Sequence, residues 1–164
     1  LRVMMRVQDV RINRSLPLGK HRLTDLCDHI DRLPIMKKIF GRGYKRILKN
    51  QRIRISRTKM YAYIDDNDGT IVISQQYLRK GRQDYLCLDL IHELVHIRQF
   101  HEGKDLFDKR FRYLERPTEI EAYRTAAAEA KKMGMRGREL REYLIVEWVT
   151  EDEFAKLLKG IGVR

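Results

Sequence analysis

One stretch constrains the fold more than any other. From Arg82 to about His101 the spacing predicts a single long helix. Leu86, Leu90, Ile91, Leu94, Val95 and Ile97 give it an apolar face and part of a second. Gly103 can end it. Upstream the period changes. Gln51–Thr58 alternates through Arg52-Ile53-Arg54-Ile55, which argues a strand with one wet face. Met60–Ile64 reads as another short strand, and Asp65-Asp66-Asn67-Asp68-Gly69 as a turn. The β-branched run Thr70–Ser74 then reads as a strand paired with the one before it. Downstream, Thr118-Glu119-Ile120-Glu121 has the form of a capping box, with Thr118 as N-cap and Glu121 reaching back. An alanine-rich helix is expected from there to about Met133. The reading is α+β: a small twisted sheet, a long helix, and a supporting helix that bears glutamates.

The flanks are read more coarsely. Leu1–Pro17 is an extended arm or strand through Val3, Met5 and Val7. His21–Ile30 has helical spacing in Leu23, Leu26, Cys27 and Ile30, and Pro34 interrupts it. A basic helix is expected from Ile35 to about Lys49, broken near Gly41-Arg42-Gly43. Glu139–Val149 fits helix or strand, and Thr150–Glu153 is a second capping box opening a helix that ends at Gly160. The length of 164 residues suggests a single domain over 1–164. Within it stand a basic N-terminal portion (1–58), a core (59–133) and a C-terminal extension (134–164). No run of about 18 apolar residues exists, so no membrane span is expected. Charges break up Leu1–Val7 too often for a signal-peptide core, and two cysteines, Cys27 and Cys87, make no disulfide framework. The expectation is a cytoplasmic protein.

The net charge of +12 is unevenly placed. Residues 1–60 hold 17 Lys+Arg against 4 Asp+Glu, a net of +13, and residues 61–164 hold 18 against 19. Between Leu33 and Ile64 there are ten basic residues and no acidic one. Such a run, Lys37–Lys59, attracts nucleic acid or an acidic partner, or else is a solvated surface that keeps the chain dispersed.

The long helix also carries His92-Glu93-Leu94-Val95-His96. Residues four apart share a helix face, about 40° out of register at about 100° per residue. Two imidazoles so placed can bind one Zn²⁺ through neutral nitrogens. Glu93 beside them can take a proton from water that the metal acidifies and pass it to a leaving amine. A catalytic zinc wants a third protein ligand and an open position. His101, Glu102, Glu115, Glu119 and Glu121 are the candidates. His101 points away from His96 at about 140°. It also falls one residue short of the longer HExxHxxGxxH pattern, in which Gln99 replaces the glycine. Glu119 is favoured as the third ligand, because Glu121 is occupied if it closes the capping box; Glu121 stands second.

Four segments together resemble a known group: Met60-Tyr61-Ala62-Tyr63, Gly69–Ser74, His92–His96 and Glu119-Ile120-Glu121-Ala122. They look like the gluzincin clan of zinc metallopeptidases, and most like its soluble minigluzincins. Those are compact counterparts of the catalytic domains of CAAX-prenyl and heat-shock zinc peptidases. ImmA/IrrE-type peptidases are more distantly similar. The resemblance covers about residues 60–130. It implies a zincin-like fold, peptide-bond hydrolysis of a peptide or protein substrate, His92, His96 and Glu119 as zinc ligands, and Glu93 as general base. The chain departs at Tyr123, where the family has Asp or Asn. Tyr123 is four residues from Glu119 and could orient a histidine or donate to a developing oxyanion. Thr70–Ser74 could pair as an edge strand with an extended substrate. Two other readings remain. One is a latent or inactive zinc-binding scaffold covered by residues 139–164; the other is a nucleic-acid-associated protein using 37–59.

Overall fold

The computed structural model describes residues 4–146 and 148–164, so Val3 of the expected N-terminal arm lies outside the described residues. In chain order the elements are β1 (Arg11–Ile12), β2 (Gly19–Arg22), α1 (Leu23–Leu26), β3 (Cys27–Asp28), α2 (Pro34–Phe40), α3 (Tyr44–Asn50), β4 (Arg52–Ser56), β5 (Ala62–Asp65), β6 (Thr70–Ser74), α4 (Gln75–Lys80), α5 (Gln83–His101), α6 (Pro117–Lys132), α7 (Gly137–Leu144) and α8 (Glu151–Gly160). The mixture of small sheets and predominant helix is α+β. Among the described residues, no helix is long and apolar enough to cross a membrane.

Helix α5 is the axis of the core. Twelve of its 19 residues are buried, on several faces, and Leu88, Leu94 and Ile97 are wholly inaccessible. Burying each such side chain contributes roughly 1.5–3 kcal/mol. One flank of α5 meets the four-stranded sheet, ordered β2-β4-β6-β5. Alternation sends Ile53, Ile55, Ile64, Ile71 and Ile73 into the core. The other flank meets α6, whose Ala122, Ala126, Ala127 and Ala130 are all buried. Side chains this small let the two helix backbones approach closely, which brings a residue on α6 within reach of α5.

The β5–β6 hairpin forms as the sequence suggests, antiparallel, with Tyr63 opposite Val72. Its turn is closed by the Gly69 N–H donating to the Asp65 carbonyl at 2.8 Å. Gly69 has φ of 75°, and a Cβ there would stand 2.7 Å from the Phe100 ring. Only glycine therefore lets the turn rest on the end of α5.

Several expectations change. His21–Ile30 is not one helix. Gly19–Arg22 pairs with β4 instead, and a single helical turn, α1, is left before the short β3. The expected N-terminal strand is replaced by a 3₁₀ turn at Val7–Asp9 and the two-residue β1. Thr70–Ser74 is not an edge strand. It lies between β4 and β5, every residue buried, and the edges belong to β2 and β5. The basic portion and the core share this sheet, since β2 and β4 come from one and β5 and β6 from the other. The broken basic helix is present as α2 and α3, and the undecided 139–149 segment is partly helix, as α7. Cys27 and Cys87 are free and buried.

Candidate metal centre

Two nitrogens and one oxygen converge on one point. His92 and His96 sit one turn apart on α5, and Glu119 sits in the first turn of α6. Their ligand atoms form a nearly equilateral triangle. Glu119 Oε2 is 3.1 Å from His92 Nε2 and 3.2 Å from His96 Nε2, and the two imidazole nitrogens are 3.1 Å apart. All three residues are buried. Among the described residues this is the one such group that could hold a metal ion.

The triangle fits a cation. Three atoms each about 2.0–2.1 Å from a tetrahedral ion lie about 3.3–3.4 Å apart, so the triangle needs to open by only a few tenths of an ångström. The chemistry of the donors agrees. Two imidazoles and a carboxylate face one another, an arrangement that a shared positive charge satisfies. The mutual effect of these groups shows in their ionisation. Burial acts to lower the His96 pKa, but the hydrogen bond and charge of Glu119 outweigh it and raise it to about 9. Burial acts to raise Glu119, but His92 and His96 outweigh it and bring its carboxyl down to about 2.

Helix α6 begins two residues earlier than the capping-box pattern implies. Pro117 takes its first position, Arg116 precedes it, and Thr118 is not the N-cap. The Thr118 hydroxyl has no hydrogen-bond partner. Glu121 does not reach back. It accepts hydrogen bonds from Arg98 and, at 2.7 Å, from Gln99 Nε2.

Those contacts expose a residue that the sequence reading passed over. Gln99 is fully buried. Its amide nitrogen donates to the Thr118 carbonyl at 3.0 Å and to Glu121, which fixes which end is oxygen. That oxygen accepts from His96 Nδ1–H at 2.7 Å. With Nδ1 holding a proton, Nε2 is left to face the triangle. The chain Arg98–Glu121–Gln99–His96 thus orients one imidazole from outside the site. The sequence signal was a polar residue three positions after His96, on a buried part of the helix.

Glu93 is buried beside the histidines, and its Oε2 has no hydrogen-bond partner. Burial pushes its pKa up, against the pull of both histidines. One turn earlier, Asp89 accepts hydrogen bonds from the Tyr77 hydroxyl and, at 2.9 Å, from the Tyr143 hydroxyl. Burial pushes the Asp89 carboxyl up as well. Tyr123 lays its ring edge-on against His92, centroids 4.5 Å apart, and its hydroxyl lies 3.1 Å from that of Tyr113. Burial raises both tyrosines, so both stay protonated at neutral pH. One hydroxyl of such a pair donates to the other and the second proton stays free.

A cleft of about 260 Å³ opens onto the triangle. His92, Glu93, His96 and Glu119 form its floor, and Ala62, Tyr63 and Ile64 of the edge strand form one wall. Tyr113, Arg116 and Trp148 also line it, and the Arg116 Nε is buried without a hydrogen-bond partner. No protein family, curated protein or solved structure matches the chain.

Proposed function

We propose that this chain is a zinc-dependent metallopeptidase of the HExxH type, with a zincin-like core akin to that of the gluzincins. The observation that carries the reading is the buried His92–His96–Glu119 triangle facing a cleft, with an unpartnered carboxylate beside it. Two imidazoles and one carboxylate are the donor set of a catalytic zinc rather than of calcium or magnesium, which prefer oxygen. His92, His96 and Glu119 would hold the ion. Bound there, zinc would polarise a carbonyl and acidify water.

The chain's own groups account for the rest. Glu93 takes the proton of the attacking water as the carbon–oxygen bond forms. It gives that proton to the amide nitrogen as the carbon–nitrogen bond breaks, and the second water proton follows to the amine, leaving a carboxylate and an ammonium group. The free proton of the Tyr113–Tyr123 pair is available to the developing oxyanion, with Tyr113 the member that lines the cleft. An extended peptide can add to the open edge of β5 through backbone hydrogen bonds. Arg116 is placed to bind a substrate carbonyl or carboxylate. Trp148, from the C-terminal extension, supports a second reading of latency, since it stands at the same cleft.

The test is metal content and casein hydrolysis, side by side. Glu119→Ala should lose zinc. Glu93→Gln should keep it and lose activity by roughly 10²–10⁴-fold. Undiminished hydrolysis by Glu93→Gln ends the mechanism, and zinc lost in Glu121→Ala but kept in Glu119→Ala reassigns the ligand. Activity gained on removing residues 139–164 favours latency.

A further inference from the structure

The outer face of the sheet carries charge in an arrangement that works against the fold. The register of β2 on β4 sets Lys20 directly opposite Arg54, and Arg22 directly opposite Arg52. Like charges facing one another on one side of an antiparallel pair are destabilising. Because Ile53 and Ile55 point into the core, all four cations stand on the other side.

Carboxylates relieve them only in part: Asp68 lies close enough to Arg52 for the arginine to help hold its carboxyl down. Arg54 pairs with Asp65 at 3.1 Å, but among the described residues Lys20, Arg22 and Arg52 form no salt bridge. The acids close by are committed to backbone. Asp25 accepts the Arg22 N–H, Asp65 also accepts the Asn67 N–H, and Asp68 accepts the Thr70 N–H. Protection of an exposed edge explains cations on β2. It does not explain Arg52 and Arg54, because β4 is an interior strand.

Repulsion maintained in this way suits a surface that is neutralised by a ligand. The spacing indicates which. Alternate residues on a strand are about 6.6–6.8 Å apart, and facing residues about 5 Å apart. The result is a two-by-two grid of cations, suited to the repeated single charges of a phosphodiester chain. A lipid surface fits less well, since no large exposed apolar side chain stands on β2 or β4 to enter it. We propose that the outer β2–β4 face binds the phosphate backbone of a nucleic acid, with Lys20, Arg22 and Arg52 as its contacts. The proposal does not depend on the metal centre.

The full-length protein is titrated by fluorescence anisotropy against a labelled oligothymidylate and a labelled duplex of equal length. Three phosphate contacts give a salt slope of about −2 for the single strand and about −2.7 for the duplex. Between about 50 and 200 mM salt, affinity should then fall roughly 20-fold and 40-fold respectively. The decisive variant is Arg52→Glu, which converts the clash with Arg22 into a facing ion pair. Its melting temperature should rise while nucleic-acid affinity drops at least about tenfold, a loss that misfolding cannot produce. Lys45→Glu on α3 makes the same charge change elsewhere and should leave affinity within about twofold. Equal losses in the two variants would reduce the effect to net charge and overturn the proposal. So would no binding at low salt, or tighter binding to polyglutamate or to phosphatidylserine vesicles than to either oligonucleotide.

Discussion

Gln99→Leu is the perturbation that isolates the orienting chain. Leucine nearly preserves the volume of a side chain that has no exposed surface, and it removes all three of its hydrogen bonds. Glu121 keeps Arg98, so it is not stranded. The His96 Nδ1–H and one bond to the Thr118 carbonyl are lost inside the protein, at about 1–3 kcal/mol for each unsatisfied group. The metal-free fold should therefore weaken by about 2–6 kcal/mol, out of about 5–15 for a typical domain. Loss of a partner that orients a metal-binding histidine lowers affinity by about 10–100-fold, or about 1.4–2.7 kcal/mol. Denaturation of the metal-free protein gives the first quantity. Zinc competition against a chromophoric chelator, with circular dichroism to verify folding, gives the second. A folded Gln99→Leu protein whose zinc affinity stays within about threefold of the parent refutes the claim that Gln99 sets the His96 tautomer.

Two further outcomes follow from the same geometry. In the metal-free protein the His96 pKa lies near 9, so zinc must displace a proton at lower pH, and apparent affinity should fall about tenfold per pH unit from pH 9 to 7. A pH-independent affinity over that range, by the same competition, contradicts the linkage. The His96–Glu119 contribution to metal-free stability should be complete below about 6.5, where His96 is protonated in both folded and unfolded chains, and lost as pH rises through about 9. On the acid side it should be complete above about 4.5 and vanish as pH falls through about 2. Trp148 is the sole tryptophan and lines the cleft, so a peptide bound to Glu93→Gln should shift its emission to the blue. Unchanged emission at a peptide concentration that saturates binding by calorimetry places the peptide elsewhere.

What was legible in the sequence was local. The hairpin could be read because alternating residues and an Asp/Asn/Gly turn are contiguous, and α5 because its apolar positions repeat within one segment. The two histidines could be placed on one face for the same reason. What was missed depends on partners distant in sequence. Gly19–Arg22 becomes a strand through residues 52–55, some thirty positions on. The parallel pairing of β4 with β6 buries the strand that had been expected at the edge, and no hairpin pattern encodes that order. Glu121 failed as a capping residue because Arg98 and Gln99, on another helix, claim its carboxylate. Asp89 was unremarked because its two tyrosine donors lie on α4 and α7.

The triad takes two donors from α5 and one from α6, joined by the 102–116 connection. A cation held there is a removable rivet between two helices as well as a reagent. At a thousandfold excess over its dissociation constant a bound ligand adds about 4 kcal/mol to a fold, a large share of what keeps a domain this size together. Withdrawing the ion would loosen the helix pair at the same moment that it silenced the chemistry. The local supply of metal would then govern how long the chain survives proteases and, under the proposed function, whether it acts as one.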